Sequence, residues 1–272
     1  MVLAFILTAV SGSSQYYYKD VIVNRQTQDT WKTYFSARVS KVTILSTEQN
    51  GEPTPGFDCS QTISPDFRLI QTFTKSTDVQ PSTLNAFYDA NGRILKTVET
   101  SDTYKSTTAY HYNEHGELSD ISNTAVETDN QVEALERHIW FYTGGKAVRM
   151  LKIKGGTDTT TVDFKLDDKG NVIEERPFHG KTALPVVYYY YDQNGRLTDI
   201  VRYNEKAGRL LPDYIFEYGP KGISSMIFVP PGTTNYQKWI YEYDEHGLKT
   251  HETCLNKRNL VIANIRYQYS FR

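Results

Sequence analysis

The sequence predicts an all-β protein: consecutive antiparallel β-hairpin repeats forming an extended or curved sheet, with short N-terminal helices. Three observations predict it. First, a five-residue phrase recurs as YDANG (Tyr88–Gly92), YNEHG (Tyr112–Gly116), LDDKG (Leu166–Gly170), YDQNG (Tyr191–Gly195), YGPKG (Tyr218–Gly222) and YDEHG (Tyr243–Gly247), with a shortened copy, YTGG, at Tyr142–Gly145. Second, the closing glycines are Gly92, Gly116, Gly145, Gly170, Gly195, Gly222 and Gly247, and subtracting successive positions gives steps of 24, 29, 25, 25, 27 and 25 residues. A period in this range means one supersecondary unit in an array. Third, the residues ahead of each phrase alternate with period two.

Each element of the unit has a mechanical reason. Aspartate suits the first position of a type I turn and glycine the fourth. A type I turn followed by a left-handed glycine is a common hairpin connection, and Asp89 and Asp192 can bond backbone amides of their own loop. Four residues before the glycine stand Tyr88, Tyr112, Leu166, Tyr191, Tyr218 and Tyr243; six before stand Ala86, Tyr110, Phe164, Tyr189, Phe216 and Tyr241. Five before are Phe87, His111, Lys165, Tyr190, Glu217 and Glu242, a mixed set. One face is packed and the other is wetter. The outgoing strand begins with an apolar residue such as Ile94, Leu118, Val172 or Leu197. A lone hairpin is marginal in water, and stacked hairpins share an apolar face.

Three regions follow. Residues 1–15 resemble the apolar region and cleavage zone of a secretory signal peptide: Met1 to Val10 is apolar apart from Thr8, and Ser11–Ser14 follow. The run is too short to span a bilayer as a helix, and a buried N-terminal strand is the alternative. Residues 16–80 form an N-terminal helix and strand region. Trp31, Tyr34, Phe35 and Ala37 fall near helical spacing, and Asp29 could cap. Ser40–Ser46 and Phe67–Thr74 read as strands. Residues 81–272 are the hairpin array, ending in the alternating strand Ile265–Phe271.

The 272 residues carry a formal net charge of -2, so nothing favours nucleic acid as a partner. The 21 tyrosines suit half-buried strand surfaces. Cys59 and Cys254 could pair in an oxidising compartment or stay free.

The phrases YDANGRI, YDQNGRL and YDEHGL resemble the YD repeat of bacterial cell-surface proteins of the RHS and wall-associated class, and the whole chain resembles secreted repeat proteins of Bacteroidota. The resemblance covers Pro81 to Arg272. The copies are degenerate: Asn113, Thr143 and Gly219 replace the Asp, and Leu166 the Tyr. It implies an extracytoplasmic hairpin array and carries over no catalytic residues.

Chemistry-bearing clusters are few. No phosphate loop, HExxH or GxSxG is present. His111 and His115 are four apart across a strand and its turn, so no metal or other cofactor is expected. Asp167, Asp168 and Asn171 read as turn chemistry. Glu114, Glu117, Glu242 and Glu245 recur around equivalent turns, which does not indicate a single glycosidase site. Trp140, Tyr188 and Tyr190 are the candidate ligand-binding aromatics, with ordinary strand packing as the competing account.

The resulting expectation is a non-enzymatic scaffold, periplasmic, cell-surface or secreted, binding an unknown protein or glycan. The alternatives are a carbohydrate-active enzyme or accessory module, and an outer-membrane β-barrel. The strands read as too short and the loops as too alike for the last, so the expectation includes no integral membrane span.

Overall fold

The computed structural model describes residues 16–77, 79–128, 133–230, 233 and 235–272. The proposed signal segment, residues 1–15, lies outside these. One helix, α1 (Lys19–Ser36), precedes nineteen strands: β1 (Val39–Thr47), β2 (Asp58–Ile63), β3 (Leu69–Ser76), β4 (Val79–Tyr88), β5 (Ile94–Ser101), β6 (Tyr104–Tyr112), β7 (Leu118–Glu127), β8 (Glu133–Thr143), β9 (Lys146–Lys154), β10 (Asp158–Leu166), β11 (Val172–His179), β12 (Thr182–Ala183), β13 (Val187–Tyr191), β14 (Leu197–Asn204), β15 (Arg209–Gly219), β16 (Gly222–Phe228), β17 (Gln237–Tyr243), β18 (Lys249–Asn256) and β19 (Val261–Phe271). Each main strand pairs antiparallel with the next. The two-residue β12 hangs on β11, which pairs directly with β13.

The sheet closes. β1 pairs with β2 on one side and with β19 on the other, from Val39↔Phe271 to Thr47↔Asn264. Eighteen strands therefore form an up-and-down barrel with no free edge. Because strands run alternately up and down, all seven phrases lie at one rim. Their glycines all have positive φ, from 74° at Gly195 to 135° at Gly222. The fit is tightest at Gly92, where an added Cβ would lie 2.2 Å from Trp31 Cε3.

Alternation decides which face is inside. Tyr88, Tyr110, Trp140, Phe164, Tyr189 and Trp239 are buried and form one cluster with Val21, Trp31 and Tyr34 of the helix. Helix α1 touches the inner side chains of strands far apart around the ring. Asn24 donates to the Tyr112 hydroxyl at 2.8 Å, Tyr34 donates to Gln61 at 2.9 Å and packs edge-on against Tyr269, and Tyr18 packs edge-on against Tyr189. Contacts on β2, β6, β13 and β19 by one element require it to lie inside the barrel. The expected short helices are thus one helix of 18 residues, and Asp29 sits within it, paired to Lys32 at 3.0 Å, rather than capping it. The segment is poor in strong helix formers, so packing against the wall holds it.

The outer face is mixed, with Leu45, Phe87, Leu135, Phe141 and Tyr190 exposed on it beside charged residues. Cross-strand ion pairs run along it: Arg137 with Asp120 at 2.6 Å, Arg149 with Asp163 at 2.6 Å, and Lys165 with Glu174 at 3.0 Å.

One expectation is corrected here. The exclusion of an integral membrane span rested on strands read as short and loops read as alike in length. The strands reach 11 residues in β8, β15 and β19, and they close into a barrel. Closed barrels of such strands are a shape that can cross a membrane, so that exclusion falls. No helix among the described residues is long and apolar enough to cross one. Cys59 and Cys254 are both buried and free.

Candidate functional site

The rim of phrases is built from two repeated bonds. In each of three turns the first polar side chain accepts two backbone amides: Asp89 Oδ1 from Asn91 and Arg93, Asp192 Oδ1 from Asn194 and Arg196, and Asp244 Oδ1 from His246 and Leu248, at 2.8–2.9 Å. Asn113 does the same at the degenerate copy. In five phrases the tyrosine points inward and its hydroxyl donates to a carbonyl of the preceding hairpin. Tyr112 bonds Ile94, Tyr142 bonds Leu118, Tyr191 bonds Val172, Tyr218 bonds Leu197 and Tyr243 bonds Ile223, all at 2.8–2.9 Å. Tyr269, outside the repeats, continues the ladder to Lys249 at 2.7 Å. These bonds couple neighbouring hairpins where the strand ladder ends.

Helix α1 is fastened at its N-terminal end by two ionic groups of the wall. Glu175 is fully buried on the inner face of β11, and its Oε2 accepts the amides of Tyr17 and Tyr18 at 2.8 Å and the Tyr189 hydroxyl at 2.7 Å. A carboxylate there meets unpaired N–H groups at the positive end of the helix dipole. Its other oxygen, Oε1, has no partner. Burial pushes the Glu175 carboxyl up to about 7 despite the amides and Tyr189, which favour ionisation. Next along the helix, Asp20 meets His138 Nδ1 at 2.5 Å, while Glu136 meets His138 Nε2 at 2.9 Å and Lys152 at 3.1 Å. Burial disfavours the His138 cation, but Asp20 and Glu136 outweigh it and raise the imidazole to about 9. Burial likewise works against the Glu136 carboxylate, and His138 with Lys152 outweighs it, giving about 2. At neutral pH His138 and Glu136 are charged, and the cluster is internally paired. It has the chemistry of a fastening.

Between the helix and the rim, beside the same strands β8, β11 and β13 that fasten it, lies a cleft of about 410 Å³. Its base is apolar: Val21, Ile22, Val172 and Leu197, with the rings of Tyr142, Tyr191 and Tyr218. Its lip carries Arg25, Gln26, Asp29, Lys146, Asn171 and Arg196.

The sequence-predicted aromatics do not come together. Trp140 is buried in the lumen, stacked on Phe164 at 5.4 Å with no partner for its indole N–H. Tyr188 and Tyr190 alternate with buried Val187 and Tyr189 and point outward, Tyr190 being 48% exposed. The shortened YTGG turn explains the split. Counting from Tyr142 rather than from the glycine puts Phe141 outward and Trp140 inward.

His111 is exposed in β6 and His115 is exposed in the turn. Glu114 and Glu245 are exposed in turns, Glu242 is exposed in β17, and Glu117 accepts from Asn113 at 2.7 Å. Asp167 caps its own turn through Lys169 and Asn171. No group of three or more potential metal ligands occurs among the described residues. The cleft was invisible in the sequence, because its lip is assembled from one helix and several hairpins.

The fold and cleft define a closed β-barrel with an internal helix. No protein-family model matches the chain, and no curated protein does. Among solved structures it is similar to a porin-like protein from Bacteroides uniformis, at 11% identity and a TM-score of 0.41, covering 86% of this chain and 97% of that one. It is also similar to the Tc holotoxin pore of Photorhabdus luminescens, at 10% identity and a TM-score of 0.31, covering 88% of this chain and 17% of that one. At that distance neither bears on what the chain does.

Proposed function

We propose that the chain is a non-enzymatic, extracytoplasmic barrel of YD-type hairpins that binds a small ligand in the cleft between its internal helix and its rim. The observation that carries this reading is the anchored helix. Glu175 and His138 tie its N-terminal end to the wall, and between the helix and the rim of those same strands there is a half-enclosed space whose size lies in the usual range for ligand pockets. Binding then belongs to the inside of the barrel rather than to the outer face of a repeat array. A thermal-shift screen of envelope glycans and metabolites tests it, with an Ile22→Trp variant that fills the cleft. The expected result is a compound that raises the wild-type Tm and not that of the variant. No such compound, or equal shifts in both proteins, removes the reading.

The outer-membrane barrel is the second reading, favoured by closure and by strands of up to 11 residues. Against it stand the charges on the outer face. Arg137, Arg149 and Arg176 would each cost about 2–4 kcal/mol at a bilayer midplane. Extraction of native membranes at alkaline pH separates the two. Retention until detergent is added supports a lipid-embedded wall, and release without detergent removes it. The cleft is the same in both.

A further inference from the structure

The cleft has a chemical character, and we propose that it takes a small amphipathic anion, with a carboxylate, sulfonate or phosphate head on Arg25 and Lys146 and an apolar body on the tyrosine-lined base. This rests on the reading of the cleft as the ligand site. The lip residues Arg25, Lys146 and Arg196 bring three cations and Asp29 one acid. Asp29 is taken by Lys32 at 3.0 Å, and Arg196 by Asp192 at 2.7 Å, with its guanidinium also lying over the Tyr218 ring. No ion pair joins Arg25 or Lys146 to a carboxylate among the described residues; Arg25 is hydrogen-bonded with the Tyr18 side chain, and Glu117 and Asp20 act at longer range near Tyr142.

Lys146 is exposed, and its chain passes over the Gly170 turn, where an added Cβ would be 2.5 Å from Lys146 Cε. Its Nζ lies beside that turn at the lip. The hydroxyls of Tyr142, Tyr191 and Tyr218 already donate to backbone carbonyls, so their rings offer apolar faces and the remaining charged donors are the cations. An apolar base below cations that no ion pair holds selects a ligand that is apolar at one end and anionic at the other. The volume admits a single small molecule, not a folded partner.

The test uses two fluorescent probes with the same aromatic body: the anion 1-anilinonaphthalene-8-sulfonate and the neutral N-phenyl-1-naphthylamine. The expected result at low salt is saturable one-site binding of the anion, at least tenfold tighter than the neutral probe. The Arg25→Glu, Lys146→Glu double variant should lose at least tenfold for the anion and nothing for the neutral probe. Reversing two distant outer lysines, Lys96→Glu with Lys105→Glu, should change neither. If the double reversal does not fold by near-ultraviolet circular dichroism, Arg25→Gln with Lys146→Gln serves, with a smaller loss in the same direction. Equal affinity for the two probes, or anion binding indifferent to Arg25 and Lys146, overturns the anion proposal. If both probes bind Ile22→Trp as well as they bind wild type, the ligand-site reading itself falls. Probe binding that needs an open cleft but ignores charge sinks the anion proposal alone.

Discussion

Replacing Glu175 with Gln should change how stability depends on pH, and the sign follows from the direction of its shift. Burial raises its carboxyl from the ordinary 4.5 to about 7 in the folded chain. The folded state therefore holds the proton more tightly than the unfolded state. The stabilising contribution is complete below pH 4.5 and is lost as pH rises through 7. At about 1.36 kcal/mol per pH unit, the span from 4.5 to about 7 is worth roughly 3 kcal/mol. The substituted amide keeps the size and an acceptor for the Tyr17 and Tyr18 amides but does not titrate. Its nitrogen would occupy the place of the unpartnered Oε1, leaving a buried donor unpaired at a cost of about 1–3 kcal/mol. The expected result, from urea unfolding at intervals between pH 4.5 and 8.5, is a Glu175→Gln variant weaker than wild type near pH 5 that draws level near pH 8. His138, raised to about 9, also loses stabilisation between pH 6.5 and 9, but equally in both proteins, so it cancels in the difference. Curves for wild type and Glu175→Gln that run parallel throughout would refute the claim that this carboxyl is buried against the helix end.

Three further outcomes are expected from chemical denaturation. Gly195→Ala should cost about 1 kcal/mol, the strain of a left-handed residue in open space, whereas Gly92→Ala should cost more than about 3 kcal/mol because its Cβ must displace the Trp31 ring; equal costs would mean the helix does not pack on that turn. Tyr218→Phe and Tyr269→Phe should each lose about 1 kcal/mol and add in the double variant, since each breaks one tyrosine–carbonyl bond on a separate hairpin; no loss in either would deny the ladder. Trp140→Ala should cost about 3–5 kcal/mol and Tyr190→Ala less than about 0.5 kcal/mol, because one side chain fills the lumen and the other faces outward; comparable effects would put both on one face.

The local chemistry was legible because turn geometry and strand alternation act over a few residues. Aspartate three positions ahead of a left-handed glycine specifies its own amide bonds, so the phrase declares a turn within five residues. Alternation likewise placed Tyr189 inside and Glu242 outside. The count slipped only at YTGG, where the phrase is one residue shorter, which moves the register by one and carries Trp140 inward. The phrase tyrosine read as sheet packing, but its hydroxyl reaches across to the preceding hairpin, a contact that no spacing within one repeat reveals. Closure and the internal helix were beyond local signals for a related reason. The pairing of Val42 with Tyr269 joins opposite ends of the chain. The segment Lys19–Ser36, which has three Thr and two Val and no Ala, Leu, Met or Glu, becomes a helix because the lumen accepts it, not because its propensity demands it. The cleft inherits both obscurities, since it exists only once the helix lies inside a closed ring.

The closing seam offers the most direct measurement of whether the barrel is shut. Thr43 and Gln268 face each other across β1 and β19 and point outward. In a chain with Cys59 and Cys254 replaced by Ala, Thr43→Cys with Gln268→Cys should be joined within one molecule by a short thiol-bridging reagent, rapidly and in the folded state only. Shifting one partner along the strand to a position facing the lumen, Tyr269→Cys, should abolish the reaction. Failure of the Thr43–Gln268 pair to link under native conditions would contradict a closed barrel, and with it the internal cleft.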